Sequence, residues 1–263
     1  MRDSEIAGAL GIGRGFAVFV GRRAVTPLHA HRAVQLVVSA KSSFEPRTAG
    51  TLPRFAEIAL IPSGAPHRLE ADSAVAILLV DRDGPRGRRL DALAGAPLSD
   101  AHRRAIRAVA PPTPTAVDVA RATREWLEAL DVGGPDGGPS EEVSTVLAVV
   151  ERAALSGESM GLVDVARAVS LSPTRVTHRV SRELGLPYRA LVRWTRMRVA
   201  MRARYAGKSL TEAALAAGFA DASHLSRTFR AALGVAPSWL SERVSFLEVE
   251  IDRAVQASPK RIP

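Results

Sequence analysis

The chain has no cysteine among its 263 residues. That excludes disulfides and thiolate metal sites, and leaves His, Asp, Glu and Gln as the side chains able to ligate a metal ion. Long apolar runs are also missing: the longest clean one, Ala74 to Val80, falls far short of the roughly 18 residues that a membrane helix needs. The first residues show no charged lead followed by an apolar segment. The reading is a soluble, cytoplasmic protein without a membrane partner. Acidic residues are scarce relative to basic ones, 27 against 36, and the resulting net charge of +9 favours polyanions, nucleic acid foremost. What is present is a globular composition, 46% apolar and 24% charged, sufficient for packed cores in one large domain or two ordinary ones.

Short β-type runs fill the first eighty residues: Phe16 to Val20, Val34 to Ala40, Phe55 to Ile61 and Ala74 to Val80, each bounded by Gly, Pro or Ser. They predict a small antiparallel sandwich or barrel within residues 1–92. From Leu98 the pattern turns helical. Leu98 to Val109 is followed by a break at Pro111, Pro112 and Pro114, then by Ala116 to Leu130 with Val119, Trp126, Leu127 and Leu130 at helical spacing. Residues 93–132 therefore read as a helical region that pairs with a second copy, making a homodimer. Residues 133–140, which begin Gly-Gly-Pro-Asp-Gly-Gly-Pro, read as a flexible linker. A second, all-α domain is expected over 141–244 and a tail over 245–263, with an amphipathic helix from Phe246 to Gln256. The fold class is α+β.

The second domain carries a weak internal repeat. Residues 162–191 align with 210–240, pairing Leu162 with Leu210, Ala166 with Ala214, Val176 with Leu225, Val180 with Phe229, Gly185 with Gly234 and Leu191 with Leu240. The offset changes by one residue at the turn, where an insertion costs least. Each copy reads helix, turn, helix. Start signals agree: Ser172-Pro173 is an N-cap with Pro at the first helical position, Ser209-x-x-Glu212 is a capping box, and Asp221 caps the last helix. Val176, Val180 and Leu184 then form a buried stripe, leaving Thr174, Thr177, His178 and Arg182 outward. Leu225, Phe229 and Leu233 do the same for Ala222, Ser223, Ser226, Arg227 and Arg230. Between the copies, Tyr188 to Tyr205 has no Gly or Pro and spans roughly 27 Å as a helix. It can hold two reading helices near the roughly 34 Å separation of successive major-groove faces. From Arg175 to Arg204 there are nine arginines and one acid, Glu183. Each arginine alone reads as part of a solvated face; as a set, which includes Arg175, Arg182 and Arg196, they read as phosphate contacts, because little acidic sequence adjoins them.

Residues 150–243, above all Gly218-Phe219-Ala220-Asp221-Ala222-Ser223-His224-Leu225-Ser226-Arg227-Thr228-Phe229 and the later Pro237, resemble the AraC/XylS family of bacterial transcription regulators. The resemblance implies that the first reading helix presents Thr174, Thr177 and His178 to base edges, and the second Ala222, Ser223, His224 and Arg227. Its implied partners are double-stranded promoter DNA and a small-molecule effector of unknown identity.

Three of the six histidines form another constellation. His29, His31 and Gln35 precede or enter a strand, where alternate residues share a face, and His67 follows Pro62-Ser63-Gly64-Ala65-Pro66. These stretches resemble the two motifs of the cupin barrel, which in some members hold a divalent ion, and the AraC/XylS resemblance likewise implies a cupin-like sensing domain here. Neutral imidazole and amide donors suit Zn, Ni, Fe or Cu better than Mg or Ca. Three readings stay open at this point: a metal site, an effector pocket without metal, and structural histidines. The leading function is a sequence-specific regulator without enzyme activity. The alternatives are a cupin-type metalloenzyme with a DNA-binding appendage and a nucleoid-type architectural protein.

Overall fold

In the early strands both phases of the two-residue alternation are apolar, and the fold buries both. Phe16, Val18 and Val20 lie in one core, Ala17 and Phe19 in the other; Ala76, Leu78 and Val80 divide from Val75, Ile77 and Leu79 in the same way. These strands belong to a computed structural model in which residues 7–39, 42–46, 57–71, 73–109, 114–132, 139–158, 160–239 and 244–251 are described. The expected linker at 133–138, Pro111 and Pro112, Phe55, Leu240 and the tail beyond Ile251 lie outside the described residues.

The strands are β1 (Ala7–Ile12), β2 (Phe16–His29), β3 (Ala33–Ser39), β4 (Ser42–Pro46), β5 (Ile58–Ile61), β6 (His67–Ala71) and β7 (Val75–Asp81). They pair in the order β4-β6-β2-β7-β3-β5, all antiparallel, with β1 on the other side of β2. Among the described residues no ladder joins β4 to β5, so the expected barrel is an open sheet: closure needs every edge paired, and these edges are only five and four residues long. The run expected at Phe16 to Val20 continues to His29. Gly21-Arg22-Arg23 interrupts its apolar pattern, yet the backbone pairs first with β7 over Phe16–Gly21 and then with β6 from Ala24 to His29.

One face of the sheet is covered by α1 (Pro85–Ala94), α2 (Asp100–Ala108) and α3 (Ala116–Ala129). Leu90, Ile106, Val119, Trp126, Leu127 and Leu130 pack there against Phe16, Val18, Leu36, Leu60 and Leu78. Burying each such side chain stabilises by roughly 1.5–3 kcal/mol, and the stripe that sequence offers to a second copy is taken up by the chain's own sheet.

The inner face is continuous with the core of the C-terminal helices α4 (Glu141–Ser156), α5 (Leu162–Ala168), α6 (Pro173–Leu184), α7 (Tyr188–Tyr205), α8 (Leu210–Ala216) and α9 (Ala222–Leu233). Helices α5–α6 and α8–α9 are the two helix-turn-helix units, and the marked caps operate: Ser172 and Asp221 each accept the N–H three residues on, and Ser209 with Glu212 forms the full box. Of the segment expected as an amphipathic helix from Phe246 to Gln256, the residues beyond Ile251 lie outside the described residues, and residues 246–248 instead belong to β8 (Val244–Glu248), parallel to β1. Its alternate residues divide between the cores, Val244 and Phe246 to one, Leu247, Val249 and Ile251 to the other. That period of two suits the free edge of β1. Among the described residues no helix is long and apolar enough to cross a membrane.

Candidate metal centre and nucleic-acid interface

His29 closes β2 and His67 opens β6, and the two are paired across the ladder. His31 sits in the short connection to β3, and Gln35 lies on β3, on the face that carries Val37 inward. Spacing alone suggests His29, His31 and Gln35 on one strand face with His67 on a neighbouring strand; the fold instead spreads the four over β2, the β2–β3 connection, β3 and β6. The ring centroids of His29 and His67 are 4.4 Å apart, those of His31 and His67 5.1 Å. One nitrogen from each of the three falls within 4.8 Å of the others.

Each Nδ1 faces a backbone carbonyl: Pro27 at 2.8 Å from His29, Ala33 at 3.1 Å from His31 and Ala65 at 2.9 Å from His67. Donating Nδ1–H to a carbonyl fixes the tautomer and leaves the Nε2 lone pair as the donor atom, the usual support of a metal-bound imidazole. His31 Nε2 lies 2.8 Å from Gln35 Oε1, so the Gln35 amide occupies that nitrogen in this structure and an ion would take its place there. His67 Nε2 is buried without any partner among the described residues. Leaving it so costs about 1–3 kcal/mol, and a cation would remove that cost. Burial pushes His31 and His67 down to about 4 and lowers His29 as well, so all three are neutral near pH 7. The residues fit a divalent transition metal held by His29, His31 and His67, with Gln35 beside it.

Gly234, the left-handed C-cap of α9 with φ +77°, lies over this cluster. A Cβ there would overlap the His29 ring and stand 2.9 Å from His31 Cδ2. The neighbouring Arg32 donates its backbone N–H to Ala231 O, 2.8 Å away in the last turn of α9. Sequence pairs Gly234 with Gly185 in the repeat but carries no sign that it meets the histidines.

On α6, Thr174, Arg175, Thr177, His178 and Arg182 are all exposed; on α9, Ser223, Arg227 and Arg230 are exposed and Ala222, His224 and Ser226 half-buried. Thr177 Oγ1 donates to Pro173 O at 3.0 Å. The His224 ring stands edge-on to Phe219, with centroids 5.2 Å apart, so it packs as well as faces outward. Arg196 lies over Gly218, at the turn of the second unit.

The expectation that the arginine run lacks acidic neighbours is corrected by the fold, because distant segments supply them. Arg175 and Arg179 meet Glu142 of α4, and Arg179 and Arg182 meet Glu183. Arg189 and Arg193 reach Asp83 and Arg193 also Asp81, while Arg198 and Arg202 share Glu151, with Glu248 of β8 on Arg202. Arg196 and Arg204 have no carboxylate partner among the described residues. Asp81 also accepts from Trp194 Nε1 at 2.6 Å, binding α7 to the end of β7. Burial raises the Asp83 carboxyl, but Arg32, Arg193 and Arg189 together outweigh it and hold it below its ordinary value.

Residues 165–243 match the family model described as a helix-turn-helix domain. No curated protein matches the chain. Among solved structures, unsaturated fatty acid-bound ToxT from Vibrio cholerae is similar over 90% of this chain and 96% of that one, at 12% identity and a TM-score of 0.45. The C-terminal domain of AraT, a response regulator from Geobacillus stearothermophilus, covers 37% of this chain and 81% of its own, at 23% identity and a TM-score of 0.35. A DNA-binding transcriptional dual regulator from Escherichia coli K-12 covers 38% and 93%, at 22% and 0.33. Residues 165–243, which run from within α5 to beyond the end of α9, thus form a helix-turn-helix domain.

Proposed function

With that domain as premise, we propose that the protein reads promoter DNA with α6 and α9 and takes its input at the three-histidine centre of the sheet. The observation that carries the reading is the pair of capped reading helices, exposed at Thr174, Thr177 and His178 on one and at Ser223 and Arg227 on the other, joined by the uninterrupted α7. Arg227 supplies the long donor suited to a guanine edge. Arg196 and Arg204, free of carboxylates among the described residues, supply phosphate affinity.

At the input, His29, His31 and His67 with Gln35 hold Zn, Ni, Fe or Cu. When bound, the ion supplies a double positive charge that ties β2, β6 and the β2–β3 connection together. Gly234 packs directly on His29 and His31, which leaves little room for a substrate beside those two rings and weighs against the metalloenzyme reading. A homodimer belongs to this reading, through the outward faces of α2 and α3, and sedimentation equilibrium tests it.

The main experiment is gel-shift and anisotropy binding of the full chain to the DNA upstream of its own gene against scrambled DNA. A preference of at least a hundredfold is expected; equal binding of both would leave only an architectural protein. Metal analysis of protein purified without a histidine tag tests the input, with one equivalent expected and none for His67→Ala.

A further inference from the structure

The metal reading places the ion within the sheet, but the surface above the imidazoles is not the sheet's own. It is the last turn of the second reading helix. We propose that the three-histidine centre is an interdomain centre, in which the bound cation and the C-terminal turn of α9 hold each other in place, so that metal occupancy sets whether the second reading helix is docked on the sheet. The proposal rests on the reading of these histidines as a cation site.

Three observations carry it. Gly234 approaches His29 and His31 so closely that no side chain fits between them. The Arg32 N–H, one residue beyond His31, bonds Ala231 O at 2.8 Å, so the loop that carries a ligand is pinned to the same helical turn. Third, α9 is a 12-residue helix whose C-terminal, negative end lies at the cluster, and such an end attracts a cation within its last turn. The equivalent cap of the first unit, Gly185, would place a Cβ 3.9 Å from Arg86 Cβ and meets no imidazole. The coupling is therefore specific to the second unit.

A ligand that favours the docked state must itself bind more weakly whenever docking is weakened, by the same factor. Asp81→Asn loosens docking through α7, at Arg193 and Trp194, without altering any ligand. The test uses the full chain and Zn²⁺ alone, measuring affinity against a chromophoric chelator and amide hydrogen exchange at Arg32 and in the last turn of α9. Zn²⁺ is expected to slow exchange at both places at least tenfold in the wild type and in neither place in His67→Ala. Gly234→Ala and Asp81→Asn are each expected to weaken Zn²⁺ binding by roughly 5- to 50-fold. If Gly234→Ala does not fold, Asp81→Asn decides. Should the wild type bind one Zn²⁺ and His67→Ala none, while exchange is unchanged or faster and Asp81→Asn binds like the wild type, the coupling is overturned and the metal site stands. A folded wild type that binds no Zn²⁺ overturns the metal reading, and the coupling with it.

Discussion

The two helix-turn-helix units share a sequence pattern, a length of reading helix and a left-handed glycine cap, yet they stand in different electrostatic company. Arg175, Arg179 and Arg182 of α6 are neutralised by Glu142 and Glu183, whereas Arg227 and Arg230 of α9 have no carboxylate partner among the described residues. Helix α6 ends against Arg86, α9 against the histidines. A repeat in sequence reproduces a shape; the neighbours decide how much charge that shape presents and what it is coupled to. The first unit reads as a shape-fitting, weakly charged contact, and the second as the charged and regulated one.

Four measurements break or sharpen that contrast. Phe229 and Val180 occupy equivalent buried positions in the two units, both 0% exposed. Phe229→Ala is expected to cost roughly 3–5 kcal/mol and Val180→Ala roughly 1–2 kcal/mol in urea unfolding; equal costs would mean the second unit is not the more deeply packed. Next in size, Arg227→Ala should weaken binding to the specific site by roughly 1–3 kcal/mol and relax its sequence preference. Arg175→Ala should change it by less than about 0.5 kcal/mol, since that side chain already spends its charge on Glu142. Similar losses from both, read by anisotropy, would erase the distinction.

Gly185→Ala should destabilise by about 1–2 kcal/mol, the cost of a Cβ at positive φ, while leaving Zn²⁺ affinity at the wild-type value. A loss of metal binding there would show that the first unit too is joined to the centre. The smallest effect is expected from Glu142→Gln, which releases Arg175 while Arg179 and Arg182 stay paired with Glu183. DNA affinity should rise by under about 1 kcal/mol, and the logarithmic salt slope should steepen by at most about one unit. An unchanged slope would place the Arg175 guanidinium out of reach of phosphate.

Local signals were legible wherever the physics is local. Caps at Ser172, Ser209 and Asp221, the full extent of α7 and the apolar stripes of α6 and α9 follow from neighbours within four residues. The histidines were legible as a group, but their geometry was not: His29 and His31 lie on either side of a strand end, and it is the pairing of His29 with His67 that brings the rings together. The arginine run misled for a related reason. Its acidic partners, Asp81, Asp83, Glu142, Glu151 and Glu248, lie on both sides of it in the chain and as much as 112 residues away, and Coulomb attraction depends on distance in space. β8 reads as a helix only until an unpaired edge of β1 is available to it.

By itself the sequence determined the helical half of the molecule: helix lengths, caps and the repeat are set by backbone and side-chain preferences within a few residues, and they define two helix-turn-helix units. Only the tertiary structure decided which arginines remain available, that the helical stripe at Val119 and Trp126 is spent on the chain's own sheet, and that Gly234 rests on the histidines. Those outcomes come from packing and charge between segments far apart in the chain, for which no local preference exists.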